Sequence, residues 1–234
     1  MATYTSTARF PGETSAYRDA RDGLLAAERD LRQSLERVAA MRRALPLGGV
    51  VPNDYAFEES AADLTDTTLV RPIRLSELFR DDLNTLVLYS FMFGPTAKQP
   101  CSSCTSILDS LNGASQHISQ RVNLAVVAKS PIERIREFAG SRHWTGLRLL
   151  SSGKNTYNRD YHGESEAGDQ VPSLNVFVRR DGRIHHFYNS ELLFAPREPG
   201  EDARHVDLIW PLWNVFDFTP EGRGADWYPK LTYK

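Results

Sequence analysis

The apolar residues of the chain change their spacing from one region to the next, and each spacing predicts a different element. From Ser15 to Leu45, Tyr17, Leu24, Leu31, Val38 and Leu45 recur every seven residues, and Ala20, Ala27, Ser34 and Met41 follow three positions later. Arg, Asp and Glu fill the other faces. This heptad pattern predicts a long amphipathic helix, ~45 Å if unbroken. Ser15 is placed to cap it, Leu45-Pro46 and Gly48-Gly49 to stop it, and Gly23 weakens its middle by ~1 kcal/mol. Such a stripe serves either to lie on the chain's own domain or to form a seam between two copies.

Beyond residue 50 the pattern becomes short runs. Tyr55-Ala56-Phe57 and Thr68-Leu69-Val70 predict a hairpin with the acidic segment Glu58 to Asp66 between its strands, and Arg74 to Phe79 a helical turn. Leu86 to Phe93 and Val122 to Ala128 are almost wholly apolar, as strands covered on both faces are. Ser130 is expected to cap a helix that begins at Pro131 and buries Ile132, Ile135 and Phe138. Leu147 to Leu150 predicts a further strand, and Lys154 to Gly168 an irregular stretch anchored by Tyr157 and Tyr161. Leu174 to Val178 and Ile184 to Tyr188 flank Asp181-Gly182, a strong hairpin signal.

The alternation β, α, β, α, β and a closing hairpin predicts an α/β fold with a mixed central sheet and helices on both faces. Three segments follow: a lead-in and long helix over residues 1–49, a central domain over 50–191, and a C-terminal extension over 192–234. The extension is rich in aromatics, with Trp210, Trp213, Phe216, Phe218, Trp227 and Tyr228. It is expected to pack back on the domain as an apolar latch, with the wall of a substrate pocket as the alternative.

The candidate chemistry sits at the end of the first buried strand. Gly94-Pro95 closes that strand, and the chain's two cysteines then appear as Cys101-Ser102-Ser103-Cys104, ahead of Ile107, Leu108 and Leu111 at helical spacing. A strand, a loop and Cys-x-x-Cys at a helix start form the arrangement of a thioredoxin-like dithiol site. Only a thiolate attacks a disulfide, and the unpaired N–H groups and dipole of a helix N-terminus favour the anion. Cys101 is therefore expected to be the nucleophile and Cys104 the resolving thiol, with Lys98 as an electrostatic aid. Two chemically idle cysteines, or half of a metal site, are the competing readings. No further cysteine exists, and His117, His143, His162, His185, His186 and His205 lack His-x3-5-His spacing, so neither a metal nor a cofactor is expected.

Val171-Pro172-Ser173 stands just before the closing hairpin. In thioredoxin-like proteins, which the dithiol arrangement resembles, a cis proline sits at this place and faces the dithiol; if Pro172 is that residue, Val171 offers backbone groups to an extended substrate, making Val171 and Pro172 candidate substrate-binding residues. A trans proline opening an edge strand is the plainer alternative.

Net charge narrows the partners. With 28 basic and 30 acidic residues the formal charge is −2, which supplies no electrostatic argument for nucleic acid or an anionic membrane. The N-terminus lacks the apolar core of a signal peptide, and no run approaches the ~18 residues of a membrane span. A cytoplasmic location is expected, where paired cysteines are more often catalytic than structural.

Several local motifs together resemble a known group. Phe91-Met92-Phe93-Gly94-Pro95, the Cys101–Cys104 pair, Ser130-Pro131-Ile132-Glu133-Arg134-Ile135, Trp144 and Asp217-Phe218-Thr219-Pro220-Glu221-Gly222-Arg223 are similar to the bacterial domain-of-unknown-function 899 family. The resemblance covers nearly the whole chain. It implies a thioredoxin-like fold and a redox role as a dithiol–disulfide oxidoreductase, without a substrate. The loop Thr96 to Pro100 lacks the tryptophan that precedes the dithiol in thioredoxins proper. The peroxiredoxin pattern Pro-x3-Thr/Ser-x2-Cys is absent too, since Ala97 and Cys101 hold those places relative to Cys104. The expected function is thus a thiol–disulfide oxidoreductase acting on a protein or small-molecule disulfide with an unidentified electron donor. A non-enzymatic interaction module or a thiol peroxidase variant is the alternative, and a homodimer through the long helix is the expected assembly.

Overall fold

The structure is a computed structural model, and it describes residues 7–80, 82–202, 208–219 and 224–233. The chain divides into two compact units, residues 1–46 and 47–234. In the first, helix α1 spans Ser15–Arg43. Its cap is Thr14 rather than Ser15: the Thr14 hydroxyl accepts the Tyr17 N–H at 3.2 Å. Arg42 and Arg43 occupy the last turn, where the helix dipole favours cations. The heptad row is largely open to solvent, with Tyr17, Leu24 and Leu31 each more than half exposed.

The second unit is built on a seven-stranded sheet. Its strands are β1 Ala56–Ser60, β2 Val70–Arg74, β3 Thr85–Ser90, β4 Asn123–Ala128, β5 Arg148–Ser151, β6 Ser173–Arg180 and β7 Arg183–Asn189. They lie in the order β2-β1-β5-β4-β3-β6-β7. Strands β3, β4 and β5 are parallel, and every other pairing is antiparallel. Parallel neighbours require crossover helices. These are α2 Ser102–Ile118, between β3 and β4, and α3 Ile132–Ser141, between β4 and β5. The closing β6–β7 hairpin turns at Asp181-Gly182, both with positive φ (52° and 73°), as a two-residue hairpin turn demands.

Side chains alternate across the sheet. Leu124, Val126 and Ala128 of β4 join one core cluster with Ile107, Leu108, Ile132 and Ile135 of the crossover helices, while Ala125 and Val127 join the other with Tyr55, Phe57 and Leu75. A 3-10 turn at Leu75–Leu78 and the short helix α4, Tyr157–Asp160, cover the second face. This arrangement of parallel β3-α2-β4 followed by an antiparallel hairpin is the thioredoxin-like core that the sequence motifs imply.

Three local expectations need correction. The first strand of the N-terminal hairpin runs on through Glu58 and Glu59 to Ser60 instead of ending at the acidic residues. Glu59 is buried between Arg71 (2.7 Å) and Arg148 and ion-paired with both at the sheet edge. Its partner strand starts at Val70, the last residue of the expected run, and continues to Arg74, with Pro72 tolerated on the outermost strand. Ser130 does not cap α3; Pro131 holds the cap position, and the Ser130 hydroxyl instead accepts from Arg134 at 3.2 Å.

The C-terminal extension contributes helix α5, Pro211–Phe216. Trp213 is fully buried and Trp210 is 5% exposed, both in the core cluster that includes α2 and β3. Trp213 lies among Trp210, Phe216, Trp227 and Tyr228 at ring separations of 5.2–6.0 Å. The stretch Pro220 to Arg223 lies outside the described residues.

Candidate active site

The loop between β3 and α2 is held by residues that the sequence presents as motifs. Phe91 and Phe93 turn inward against Phe138 and Trp144, the Phe91–Trp144 rings 5.7 Å apart. Between them Met92 keeps its backbone free for the dithiol, and its carbonyl accepts the Cys101 N–H at 3.0 Å. Arg134, on the first turns of α3, donates to the Pro95 carbonyl at 2.7 Å and to that of Ala97, and its guanidinium lies 4.7 Å from the centre of the Phe93 ring. The Phe-Met-Phe-Gly-Pro and Ser-Pro-Ile-Glu-Arg segments thus meet in space and clamp the approach to Cys101.

Cys101 is the N-cap residue of α2. Its sulfur accepts the Cys104 N–H at 3.4 Å, the bond a serine or aspartate oxygen ordinarily makes at a helix start. Its own carbonyl is taken by the Thr105 N–H (3.0 Å) and hydroxyl (2.8 Å), which fixes the first turn. Both cysteines carry free thiols; Cys101 is partly exposed and Cys104 is buried. The Cys104 thiol donates to Cys101, and the backbone N–H groups of Cys104 and Ser103 add to it, so the Cys101 pKa drops to about 6 in spite of partial burial. Lys98 is exposed. The hydrogen bonds within the Cys101–Cys104 turn carry the shift.

The same bond acts oppositely on its donor. Giving its proton to Cys101, together with burial and the nearby anion, holds the Cys104 thiol well above the ordinary range, and the Tyr89 hydroxyl works against that rise. Two of these three causes come from Cys101 itself. Tyr89 is a contributor that the sequence gives no reason to single out, because it reads simply as one member of an apolar strand.

Two clefts meet at Cys101. One, of about 540 Å³, is lined by both cysteines, Tyr89, Met92, Ile107, Pro172, residues 192–197, Trp210 and Tyr228. The other, of about 590 Å³, includes the charged and polar side chains Lys129, Glu164, Asp169 and Gln170 beside Met92 and Pro95. Lys129 and Glu164 pair at 3.1 Å on its wall. Pro172 therefore stands beside the dithiol as expected, but the Val171–Pro172 bond is trans, as are all peptide bonds among the described residues. Trans is the intrinsically favoured isomer, and it allows the Val171 N–H to reach the Gly163 carbonyl (3.0 Å) while Ser173 enters β6 opposite Ser90. Val171 thus spends its donor within the chain and does not line either cleft. Among the described residues no three His, Cys, Asp or Glu side chains gather as a metal site requires.

Residues 7–233 match the family described as "Bacterial protein of unknown function (DUF899)". The chain belongs to this family. No curated protein matches it. Solved structures similar to it include AhpC of Enterococcus faecalis, 10% identical at a TM-score of 0.46, over 78% of this chain and 98% of that one. The thioredoxin peroxidase I of Plasmodium yoelii is 15% identical at a TM-score of 0.46, over 81% and 99%. The exposed lipoprotein thioredoxin Etrx1 of Streptococcus pneumoniae is 13% identical at 0.37, over 64% and 93%. For this DUF899 chain the thioredoxin-like core and the Cys101–Cys104 pair stand together on the strand order and on the cap geometry.

Proposed function

We propose that this DUF899 chain is a dithiol–disulfide oxidoreductase in which Cys101 attacks and Cys104 resolves. The observation that supports it best is the asymmetry of one hydrogen bond: Cys104 gives its proton toward the Cys101 sulfur, so one thiol is an anion near neutral pH and the other is a protonated reserve. In the first half-reaction the Cys101 thiolate attacks a substrate disulfide, forming a Cys101–substrate bond and expelling one substrate thiolate. In the second, Cys104 loses its proton to the departing thiolate and attacks Cys101, which closes the intramolecular disulfide and releases the second thiol. The substrate gains two electrons and the pair loses two, which an external dithiol donor restores. Pro172 borders the incoming disulfide, and Val171 holds it there through the Gly163 contact. A reducing, cytoplasmic setting suits such a pair. No helix of the described residues is long and apolar enough to cross a membrane.

Replacing Cys104 with serine removes the second half-reaction and leaves the first. Incubated with a small disulfide, Cys104→Ser is expected to accumulate one mixed disulfide per chain on Cys101, read by intact mass, whereas Cys101→Ser accumulates none in the same time. A stable adduct on Cys104 in Cys101→Ser, with none on Cys101, would reverse the roles.

The exposed heptad row of α1 supports a second copy as its partner, since the apolar side chains of Tyr17, Leu24, Leu31 and Val38 left in water are what a two-stranded seam buries. Light scattering should give twice the chain mass, and Leu24→Glu with Leu31→Glu should return it to one. A monomeric parent chain at micromolar concentration excludes the seam.

A further inference from the structure

The two clefts at Cys101 differ in chemistry, and the difference points to a substrate class. The cleft that also contains Cys104 has walls of Met92, Ile107, Leu193, Phe194 and Trp210. Several of its polar side chains are already engaged. The Trp210 indole N–H donates to the Ser106 hydroxyl at 3.1 Å, so this ring presents hydrocarbon to the cleft. Ser103 is engaged with the Cys101 sulfur, and Tyr89 with Cys104. Among its described lining residues the single charged side chain other than the thiols is Arg197, which is exposed. At about 540 Å³ the cleft falls within the ~300–1,000 Å³ typical of small-molecule sites. A peptide chain would bring many backbone donors and acceptors against walls whose side chains are mostly apolar.

We propose that the substrate is a low-molecular-weight disulfide with an apolar body and one anionic terminus, the body lying against Phe194 and Trp210 and the anion meeting Arg197. This rests on the oxidoreductase reading above and goes beyond it by choosing among disulfides. The reaction is the balanced exchange already given: the substrate S–S bond breaks, the Cys101–Cys104 bond forms, and two thiols leave. The apolar wall excludes water from the exchanging sulfurs, and the segment 192–197 with Trp210 makes selectivity a property of the C-terminal extension rather than of the Cys-x-x-Cys turn.

A homologous series of ω,ω′-dicarboxylic disulfides tests this on the full chain, because the reacting group stays an unactivated primary alkyl disulfide and the charge stays constant while the alkyl length grows. The reduced protein is mixed with 3,3′-dithiodipropionate, 6,6′-dithiodihexanoate, the bis-amide of the latter and oxidised glutathione, and closure of the pair is followed in single turnover. The rate constant is expected to rise about tenfold or more from the three-carbon to the six-carbon acid as methylenes become buried. Oxidised glutathione should be the slowest. Arg197→Gln should slow the six-carbon diacid several-fold more than its bis-amide, and Phe194→Ala should flatten the length dependence while the three-carbon acid still closes the pair. A rate that does not change with chain length, or glutathione reacting fastest, overturns the substrate assignment and leaves the dithiol reading in place. Failure of every disulfide to close the pair overturns both.

Discussion

Alkylation of the native reduced protein at pH 6 should modify Cys101 about tenfold faster than free cysteine and leave Cys104 essentially untouched. The sign follows from the two pKa directions. A thiol at about 6 is about half ionised at that pH, whereas a free thiol near 8.5 is ionised to about 0.3%. The lower basicity costs part of that gain, because nucleophilicity falls with a Brønsted slope of ~0.4–0.5, about tenfold over this interval. The net advantage is therefore largest at and below pH 6, small at pH 7 and reversed above about pH 7.5. The Cys101 rate should climb through pH 6 and then level off. Cys104, buried and held well above the ordinary thiol range, should lag by more than a hundredfold across pH 5 to 8. In Cys101→Ser the anion that suppresses Cys104 is gone, and its ionisation should shift to lower pH. Tyr89→Phe should move it up again and slow closure of the disulfide without slowing the first attack. Iodoacetamide rates on each single-cysteine variant, followed by peptide mass, measure all of these. Equal rates for the two thiols at pH 6 would contradict the asymmetry.

Trp213→Ala should destabilise the second unit by about 3–5 kcal/mol, the usual cost of truncating a fully buried large aromatic side chain. Trp213 touches Trp210 on one side and Trp227 and Tyr228 on the other, so the cavity left behind loosens the whole aromatic tail. Because Trp210 and Tyr228 line the cleft beside the cysteines, the same substitution should weaken discrimination among disulfides. Denaturant unfolding at fixed pH under reducing conditions gives the stability change, and a loss below about 1 kcal/mol would mean that the tail is not part of the core. A surface aromatic such as Phe218, 84% exposed, should cost far less when truncated to alanine and serves as the control.

What the sequence reveals of this molecule is what short stretches decide by themselves. The dithiol turn is legible because strand, break, Cys-x-x-Cys and helix follow one another within about thirty residues, and the cap geometry needs nothing distant. Asp181-Gly182 is legible for the same reason: a two-residue hairpin turn requires positive φ, and few residue pairs supply it. The buried strands show as apolar runs, but their neighbours do not. Nothing near Glu59 announces that Arg71 and Arg148 neutralise it, which is why the acidic pair reads as a strand end. The cis expectation at Pro172 rests on likeness to thioredoxin-like proteins and on its place after the cysteines and before the hairpin. The bond is trans, and the Val171 N–H is bonded to the Gly163 carbonyl across a loop that the local sequence does not announce. Tyr89 is invisible for a related reason. Its role follows from which face of β3 it occupies and from what α2 brings opposite, not from its immediate neighbours. The apolar cleft is legible only as the alternative role of the aromatic extension, because its walls are drawn from positions 89 to 228 and meet only in the folded chain.

The central claim is that Cys101 and Cys104 are a working pair, and counting thiols tests it most directly. The reduced chain is exposed to a small disulfide, quenched in acid, and its free thiols are counted under denaturing conditions with the intact mass recorded. The expected result is a fall from two thiols to none, a loss of about two mass units with no adduct, and full return of both thiols with a dithiol reductant. Two thiols persisting through that treatment, or a lasting adduct on Cys101 beside a free Cys104, would contradict it.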